Sequence, residues 1–329
     1  MKIGILFQDL NRKKIAWQKH GEIYTKTAKR VVEINNALIA LGHETTIFSS
    51  LEDFLNRHND EAIDLVFPFI ECCFERNTNA FIPALLQMLN IPFIGNDSFT
   101  YTIASDKFLF KKIAHSFGIH TPKSKIIYKS DYPSKLLSVI DEIGFPCIVK
   151  YQYGSMSYHT VQVSDYELLK KQIRFMVEQE NGPVLCEEYI EGYELSVPVV
   201  GTAPEEHILA VIEYTDSEGK PLEIYDDLWK FKNDSQVELK MLNNTLPHIK
   251  EIISSVHSLY SYLGFHDYAR FDFRLDYNGQ PFLLEANPLP ALEYESAFDP
   301  ISYGNNFSFK RVLSLIVQSA AERYNLTSI

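Results

Sequence analysis

The sequence predicts an α/β protein of α+β character, built as three units: a mostly parallel N-terminal sheet followed by two antiparallel ones. Three observations lead there. Residues 1–95 alternate short apolar strands with helices on short links, the pattern of a mostly parallel sheet. From residue 96 the order changes to strand, helix, hairpin, helix. From residue 183 several antiparallel strands follow, ending in a hairpin marked by Asn278-Gly279, the strongest short hairpin signal. The expected boundaries are 1–95, 96–182 and 183–329.

Each element has a local reason. "KIGILF" is an apolar first strand, and "YTKTAKRVVEINNALIALGH" has helical spacing and stops at Gly42. "ETTIFS" and "AIDLVFPFI" are the second and third strands, "NAFIPALLQMLN" a helix and "IPFIG" a fourth strand. No G-x-G-x-x-G follows the first strand, which excludes the usual dinucleotide domain. "SDKFLFKKIAHSFG" is a helix expected to be capped by Ser105 and closed by Gly118. "KSKIIY", "SKLLSVIDEIG", "PCIVKYQYGSMSYHTVQV" and "DYELLKKQIRFMVEQE" give strand, helix, hairpin and helix, and a further helix covers about 246–263.

The last hairpin carries the first chemical signal. A two-residue type I′ turn at Asn278-Gly279 makes Tyr277 and Gln280 the flanking pair, and sets Asp272 opposite Glu285 and Arg270 opposite Asn287. Phe271, Phe273, Leu275, Phe282, Leu284 and Ala286 then share the other face. Two carboxylates opposed at about 5 Å repel by roughly 3 kcal/mol at an effective dielectric near 20. Water, a raised pKa or a bound cation relieves this. A solvated polar face is the ordinary alternative. The sharper reading is a divalent metal on Asp272, Glu285 and the Asn287 oxygen. Mg²⁺ prefers oxygen ligands and shares its shell with substrate phosphates, so a phosphate site should lie nearby.

Composition narrows the class. The chain has 329 residues, 46% of them hydrophobic and 13% aromatic, which describes a globular protein of two or three domains. A formal charge of −12 argues against a general nucleic-acid binder but leaves room for a local basic pocket. Cys72, Cys73, Cys147 and Cys186 form no C-x-x-C pair, so neither a structural zinc site nor a disulfide framework is indicated. The N-terminal apolar run is too short for a signal peptide, and no run reaches transmembrane length. The expected location is the cytoplasm, with small-molecule partners, no nucleic acid and no membrane; a homodimer is left open.

Two further stretches offer phosphate and adenine chemistry. Lys150 ends the strand "PCIVK", and the glycine and serines of "YQYGSMSYH" can turn N–H and hydroxyl groups toward phosphate oxygens. Lys107 follows Asp106 on a helix, where most lysines are merely solvated. In "VLCEEYIEGYELSV" an apolar strand runs into Glu187, Glu188, Tyr189 and Ile190, turns at Gly192 and reaches Glu194. Such a strand end can meet an adenine edge, with an acid beyond it for ribose hydroxyls; an exposed acidic strand end is the alternative.

In this order the pieces resemble the ATP-grasp superfamily, and within it the D-alanine–D-alanine ligases. The resemblance is densest at "IPFIGNDSFTYTIASDK", "FPCIVKYQYGSMS", "EEYIEGYELSV" and "ARFDFRLDYNGQPFLLEANPLPAL". It implies a three-domain ATP-grasp fold, with ATP held between two antiparallel sheets. It also implies a ligase that joins a carboxylate to an amine through an acyl phosphate, with two Mg²⁺ ions, or Mn²⁺ in their place. Lys107 and Lys150 would hold phosphates, Glu187, Glu188, Tyr189 and Ile190 would surround adenine, and Glu194 would meet ribose. Lys230 matches a lysine that reaches the γ-phosphate, and Ser155 the serine of the closing glycine-serine loop. Arg270 would stabilise an oxyanion. Asp272, Glu285 and Asn287 match metal ligands, and Ser296 matches a serine for the second substrate's carboxylate. An ordinary helix cap near Ala297 is the alternative for Ser296.

The departures fall on the first-substrate side. Where D-alanine ligases carry a His-Gly pair and an acidic loop, this chain reads "FIECCFERN". The first loop, "FQDLNRKKIAWQKHGEIYTK", lacks the usual glycines, which leaves Glu22 as the nearest acid for an amino group. Phe231 stands where tyrosine is common, and Ala291 where the family has glycine. The nucleotide site looks intact and the first pocket rebuilt. The expected function is an ATP-dependent carboxylate–amine ligase with substrates other than two D-alanines. A true D-alanine–D-alanine ligase and a non-catalytic nucleotide-binding protein are the rivals. Retention of Arg270, Lys230 and the three metal ligands speaks against the last.

Overall fold

The computed structural model describes residues 1–7, 21–69, 80–153, 160–179, 182–222, 237–294, 296–304 and 307–326. The N-terminal unit runs β1 (Lys2–Phe7), α1 (Gly21–Ala40), β2 (Glu44–Phe48), α2 (Leu51–Arg57), β3 (Leu65–Phe69) and α3 (Phe81–Met88). Its sheet has the order β2-β1-β3, all parallel, with Ile3 beside Thr45 and Leu65. Ile3, Ile5 and Leu6 are fully buried on β1, and Val31, Ile34, Ala37 and Leu38 give α1 one apolar stripe at helical spacing. The expected fourth strand is reduced to a single parallel bridge between Phe93 and Val66.

Two helices follow, α4 (Ser98–Ser105) and α5 (Lys107–Ser116). The cap of α5 is Asp106, whose carboxylate accepts from the Leu109 N–H, and not Ser105, which closes α4. Gly118, with φ +74°, lies just past the helix end, as expected. The second sheet takes β4 (Ser124–Ile127), β5 (Cys147–Tyr151), β6 (Val161–Val163) and β7 (Val184–Glu188) in the antiparallel order β4-β7-β5-β6. Helices α6 (Leu136–Glu142) and α7 (Tyr166–Gln179) cover it, burying Leu136, Val139, Leu169, Ile173, Met176 and Val177. β7 sits inside this sheet, between β4 and β5, so the sheet runs to Glu188, whereas the order of elements set the expected boundary at 182.

The third sheet contains β8 (Gly192–Val200), β9 (His207–Ile208), β10 (Ile212–Asp216), β11 (Val237–Met241), β12 (Tyr268–Asp276) and β13 (Pro281–Asn287). Its order is β11-β10-β8-β12-β13, antiparallel throughout, with β9 added on β8. Helix α8 (Pro247–Leu263) starts on Pro247 and ends at Gly264 in the left-handed region, and α9 (Phe309–Arg323) closes the chain. One face of the third sheet packs on α4, α5 and α8 through Phe110, Ala114, Ile252, Val256, Leu259 and Phe271. Tyr268 and Phe298 join Phe67 and Ile316 in a core shared with the N-terminal sheet. Residues 98–116 thus pack beneath the third sheet.

The β12–β13 hairpin differs from expectation in an instructive way. Asp276 accepts from Gly279 N–H and donates to Gln280, so the loop has three residues, 277–279, with Gly279 at φ +84°. This is a type I turn followed by a left-handed residue, not the two-residue type I′ turn. Near the turn, Phe273 faces Leu283 and Arg274 faces Phe282. A register shift between Asp272 and Phe273 then absorbs one residue, after which Asp272 faces Glu285 and Arg270 faces Asn287. The core positions of β13 change accordingly: Pro281, Leu283 and Ala286 are buried, whereas Phe282 and Leu284 are only partly so. Among the described residues no helix is long and apolar enough to cross a membrane.

Candidate active site

Strand alternation builds the site's floor. On β12, Arg270, Asp272 and Arg274 share one face, and β8 sets Pro198, Ser196 and Glu194 opposite them. Arg270 grips Asp272 with two donations of 2.8 Å, Nε to Oδ1 and Nη2 to Oδ2, and Ser196 donates to Asp272 Oδ1 at 2.5 Å. Burial alone would lower the Arg270 pKa, but the adjacent Asp272 outweighs it and the guanidinium is held above its ordinary range. Glu285 lies on the neighbouring strand with its Oε2 3.7 Å from Lys107 Nζ. Asn287 Oδ1 accepts from the Leu289 N–H at 3.1 Å.

A second charged layer lies behind Lys107. Lys150 Nζ is 2.7 Å from Glu187 Oε2, and Lys111 Nζ is 2.6 Å from Glu187 Oε1. Lys111 also donates to the Leu284 carbonyl, in the segment where the register of the hairpin shifts. Burial of Glu187 would raise its pKa, but the two lysines outweigh this and keep it ionised below its usual range. Lys150 is pushed down by burial and more than restored by Glu187 and Glu285, so it stays above its ordinary value. Lys107, with burial the larger influence, is held lower than usual despite Glu285.

The hinge between sheets is gripped by Arg274, a residue only 4% exposed. It donates to the carbonyls of Ile190 (3.0 Å), Gly192 (3.0 Å) and Leu222 (3.1 Å), and to Glu194 Oε2 at 3.0 Å. Its guanidinium also lies over the Tyr189 ring, 5.6 Å from the centroid. Glu188 is tied to Lys123, donating its N–H to that carbonyl at 2.9 Å. Gly192 has φ +144°, and a Cβ there would lie 2.0 Å from the Leu275 carbonyl oxygen. Gly192→Ala should therefore cost at least about 2 kcal/mol of stability and weaken ATP binding, because the turn cannot close against β12. Urea unfolding and ATP titration check this; a wild-type midpoint would show that the hinge has slack.

Ser296 occupies a local turn, its hydroxyl donating to the Glu293 carbonyl (2.8 Å) and accepting from the Phe298 N–H (3.2 Å). The Glu293 carboxylate is held by Arg30 of α1, Nε to Oε2 at 2.9 Å and Nη2 to Oε1 at 3.2 Å. That pair joins the loop bearing Ser296 to the helix whose first turn includes Glu22. Lys230, Phe231, Ser155, Cys72, Cys73 and residues 8–20 and 70–79 lie outside the described residues, and the Glu22 side chain is likewise not described. Cys147 and Cys186 are buried thiols, Cys147 pushed up by burial to about 11, which suits packing and not nucleophilic chemistry.

Among the described residues no three His, Cys, Asp or Glu side chains gather as a metal-holding group. The floor instead supplies two carboxylates and an amide oxygen on adjacent strands, a hard-oxygen set that fits Mg²⁺. Asp272 would share its oxygens with Arg270, which a carboxylate's four lone-pair sites permit. Sequence reasoning singled out Lys107, Lys150, Glu187, Glu194, Arg270, Asp272, Glu285 and Asn287; the last four lie on the paired strands β12 and β13, with Lys107 beside Glu285, Lys150 against Glu187, and Glu194 held by Arg274. It missed Lys111, Ser196 and Arg274. Lys111 follows Lys107 by one helical turn, and Arg274 follows Asp272 by one strand repeat, so the periodicities already in use could have found both.

A four-stranded and a six-stranded antiparallel sheet, joined at the segment that Arg274 grips, with Lys107 beside the acidic β12–β13 hairpin, are the arrangement of an ATP-grasp ligase. This is an ATP-dependent enzyme class that forms carbon–nitrogen bonds. The family described as "D-ala D-ala ligase C-terminus" matches residues 113–318, more than half of the chain, and the chain belongs to that family. The D-alanine–D-alanine ligase of Pelotomaculum thermopropionicum is 25% identical over 330 residues, covering 98% of this chain and 97% of the relative. The fold matches that of D-alanine–D-alanine ligase from Bacillus anthracis complexed with ATP (TM-score 0.77, 20% identity, 99% of this chain and 98% of that one). It also matches VanG D-Ala:D-Ser ligase from Enterococcus faecalis (TM-score 0.70, 18% identity, 97% and 99%).

Proposed function

We propose that the chain joins a carboxylate substrate other than D-alanine to the amine of an amino acid, using ATP. The observation that carries the reading is the single face on which Arg270, Asp272, Glu285 and Asn287 meet, with Lys107 at its edge. In the first step a substrate carboxylate oxygen attacks the γ-phosphorus, the bond to the β-phosphate oxygen breaks, and acyl phosphate and ADP result. In the second the amine attacks the acyl carbon, phosphate leaves, and the amine gives up a proton as the amide forms. Lys107 and Lys150 offset the phosphate charge, aided by Lys230 and by Ser155 in the closing loop. Glu188, Tyr189 and Ile190 border the adenine, with Glu187 fixed behind them, and Glu194 meets ribose. Magnesium, when bound by Asp272, Glu285 and Asn287, supplies charge neutralisation. Arg270 stabilises the oxyanion of the second step. The work is divided among the three units, in the cytoplasm.

The substrate assignment rests on an asymmetry. Ser296 is retained for the second substrate's carboxylate. The usual histidine-glycine pair and the glycine-bearing first loop are absent, and Phe231 replaces the common tyrosine. A pocket lacking partners for an ammonium binds it poorly, since unpaired charge is costly to bury. Glu22 is the remaining acid near that group. The first substrate should be bulkier and less polar than D-alanine. With D-alanine as the only amino acid, ADP release in a coupled assay should be at least about tenfold slower than with the best mixed pair, a difference of about 1.4 kcal/mol. D-Alanyl-D-alanine formation at a rate no other pair exceeds would restore a cell-wall ligase; no stimulation by any carboxylate or amine would remove the ligase reading.

A further inference from the structure

Lys111 has no part in the reaction as described, yet it is among the most buried charges of the molecule, 1% exposed. It stands on the same stripe of α5 as Lys107, one turn on, and its Nζ meets Glu187 while Lys150 meets the other oxygen of that carboxylate. A buried lysine facing a single carboxylate makes a neutral pair. Had Glu187 only Lys150 as partner, the charge of Lys150 would be cancelled before any phosphate arrived. With Lys111 present, the group of two lysines and one carboxylate carries a net charge of +1. Burial pushes Lys111 down to about 8, with Glu187 opposing the fall, so the ammonium persists at neutral pH. Its donation to the Leu284 carbonyl fixes the ammonium from a second side and ties α5 to β13.

We propose that Lys111 is a positioning residue that neutralises Glu187 and so leaves the charge of Lys150 for the nucleotide's phosphates. The inference rests on the nucleotide site proposed above, and its test reads binding, not turnover, so a protein without ligase activity would sink that function and leave this one standing.

The test compares ATP with adenosine, which shares the hinge contacts and lacks the phosphates, by calorimetric titration and competition on the full chain. The net charge of the group is +1 in the wild type, 0 in Lys111→Met, +2 in Glu187→Gln and +1 again in the double variant. The ratio of ATP to adenosine affinity should fall about tenfold or more in Lys111→Met, rise in Glu187→Gln and return to near the wild-type ratio in the double variant. A purely structural role would weaken both ligands together. If Lys111→Met fails to fold, the comparison of Glu187→Gln with the double variant, which buries no unpaired carboxylate, still decides. A ratio that does not follow the charge across the folded variants overturns the proposal.

Discussion

Glu285→Gln should abolish turnover, by at least about a thousandfold or roughly 4 kcal/mol of activation free energy, and leave the fold standing. Glu285 lies opposite Asp272, and its side chain is 30% exposed at the mouth of the floor. The substitution preserves shape and removes one negative charge. Repulsion from Asp272 is relieved and the attraction to Lys107 at 3.7 Å is lost, and for a partly exposed group these nearly cancel. Unfolding free energy should therefore stay within about 0.5 kcal/mol of the wild type. The functional loss has a different origin: one of the two acids that would hold the cation beside the phosphates is gone. ATP affinity should consequently lose most of its dependence on Mg²⁺. Titrating ATP with and without Mg²⁺, beside steady-state ADP release, separates the readings. Near-normal turnover in the glutamine variant would reduce the opposed acids to a solvated face.

That pair also shows how far the sequence could be read. Periodicity located β1, α1, β3, α7 and α8, because their apolar stripes are long enough to dominate local choice. The pairing of Asp272 with Glu285 was anticipated from a two-residue turn that the chain does not make. The three-residue turn moves the register by one, and the shift after Asp272 moves it back. A bulge leaves no signature in an alternating pattern as short as "QPFLLEAN", where two leucines sit side by side and either can face the core. The sheet that β7 joins was hidden for a related reason. The strand's partners β4 and β5 are distant in sequence, and the order of elements near Pro183 says nothing about which sheet the strand joins. Lys111 and Arg274 were passed over because a lone lysine or arginine is usually solvated. Only the tertiary contacts, three carbonyls and an acid around Arg274 and one carboxylate shared by two lysines, reveal that they are buried.

Arg270→Met should lower the rate by about a hundred- to a thousandfold, the usual loss on removing an oxyanion donor, while ATP affinity in the presence of Mg²⁺ changes little. The geometry adds a condition to this expectation. Arg270 holds both oxygens of Asp272 at 2.8 Å, with the pair mostly buried, so methionine leaves the carboxylate with the Ser196 hydroxyl as its side-chain partner among the described residues. Without Mg²⁺ the variant should be destabilised by up to about 3 kcal/mol, since breaking a buried pair exposes one charge to an environment built for two. On the proposed metal site, a cation bound with ATP would take over part of the guanidinium's role toward Asp272, so melting temperature should recover when both are added. The rate should not recover, because neutralising Asp272 does nothing for charge that develops on the acyl carbonyl. The two effects therefore separate: stability returns with Mg²⁺ and ATP, and amide formation stays slow at saturating concentrations of both. Quenched single-turnover reactions sharpen the distinction. ADP should still appear from the first step, and the amide should lag. A variant whose amide formation is restored together with its melting temperature would show that Arg270 serves only to hold Asp272.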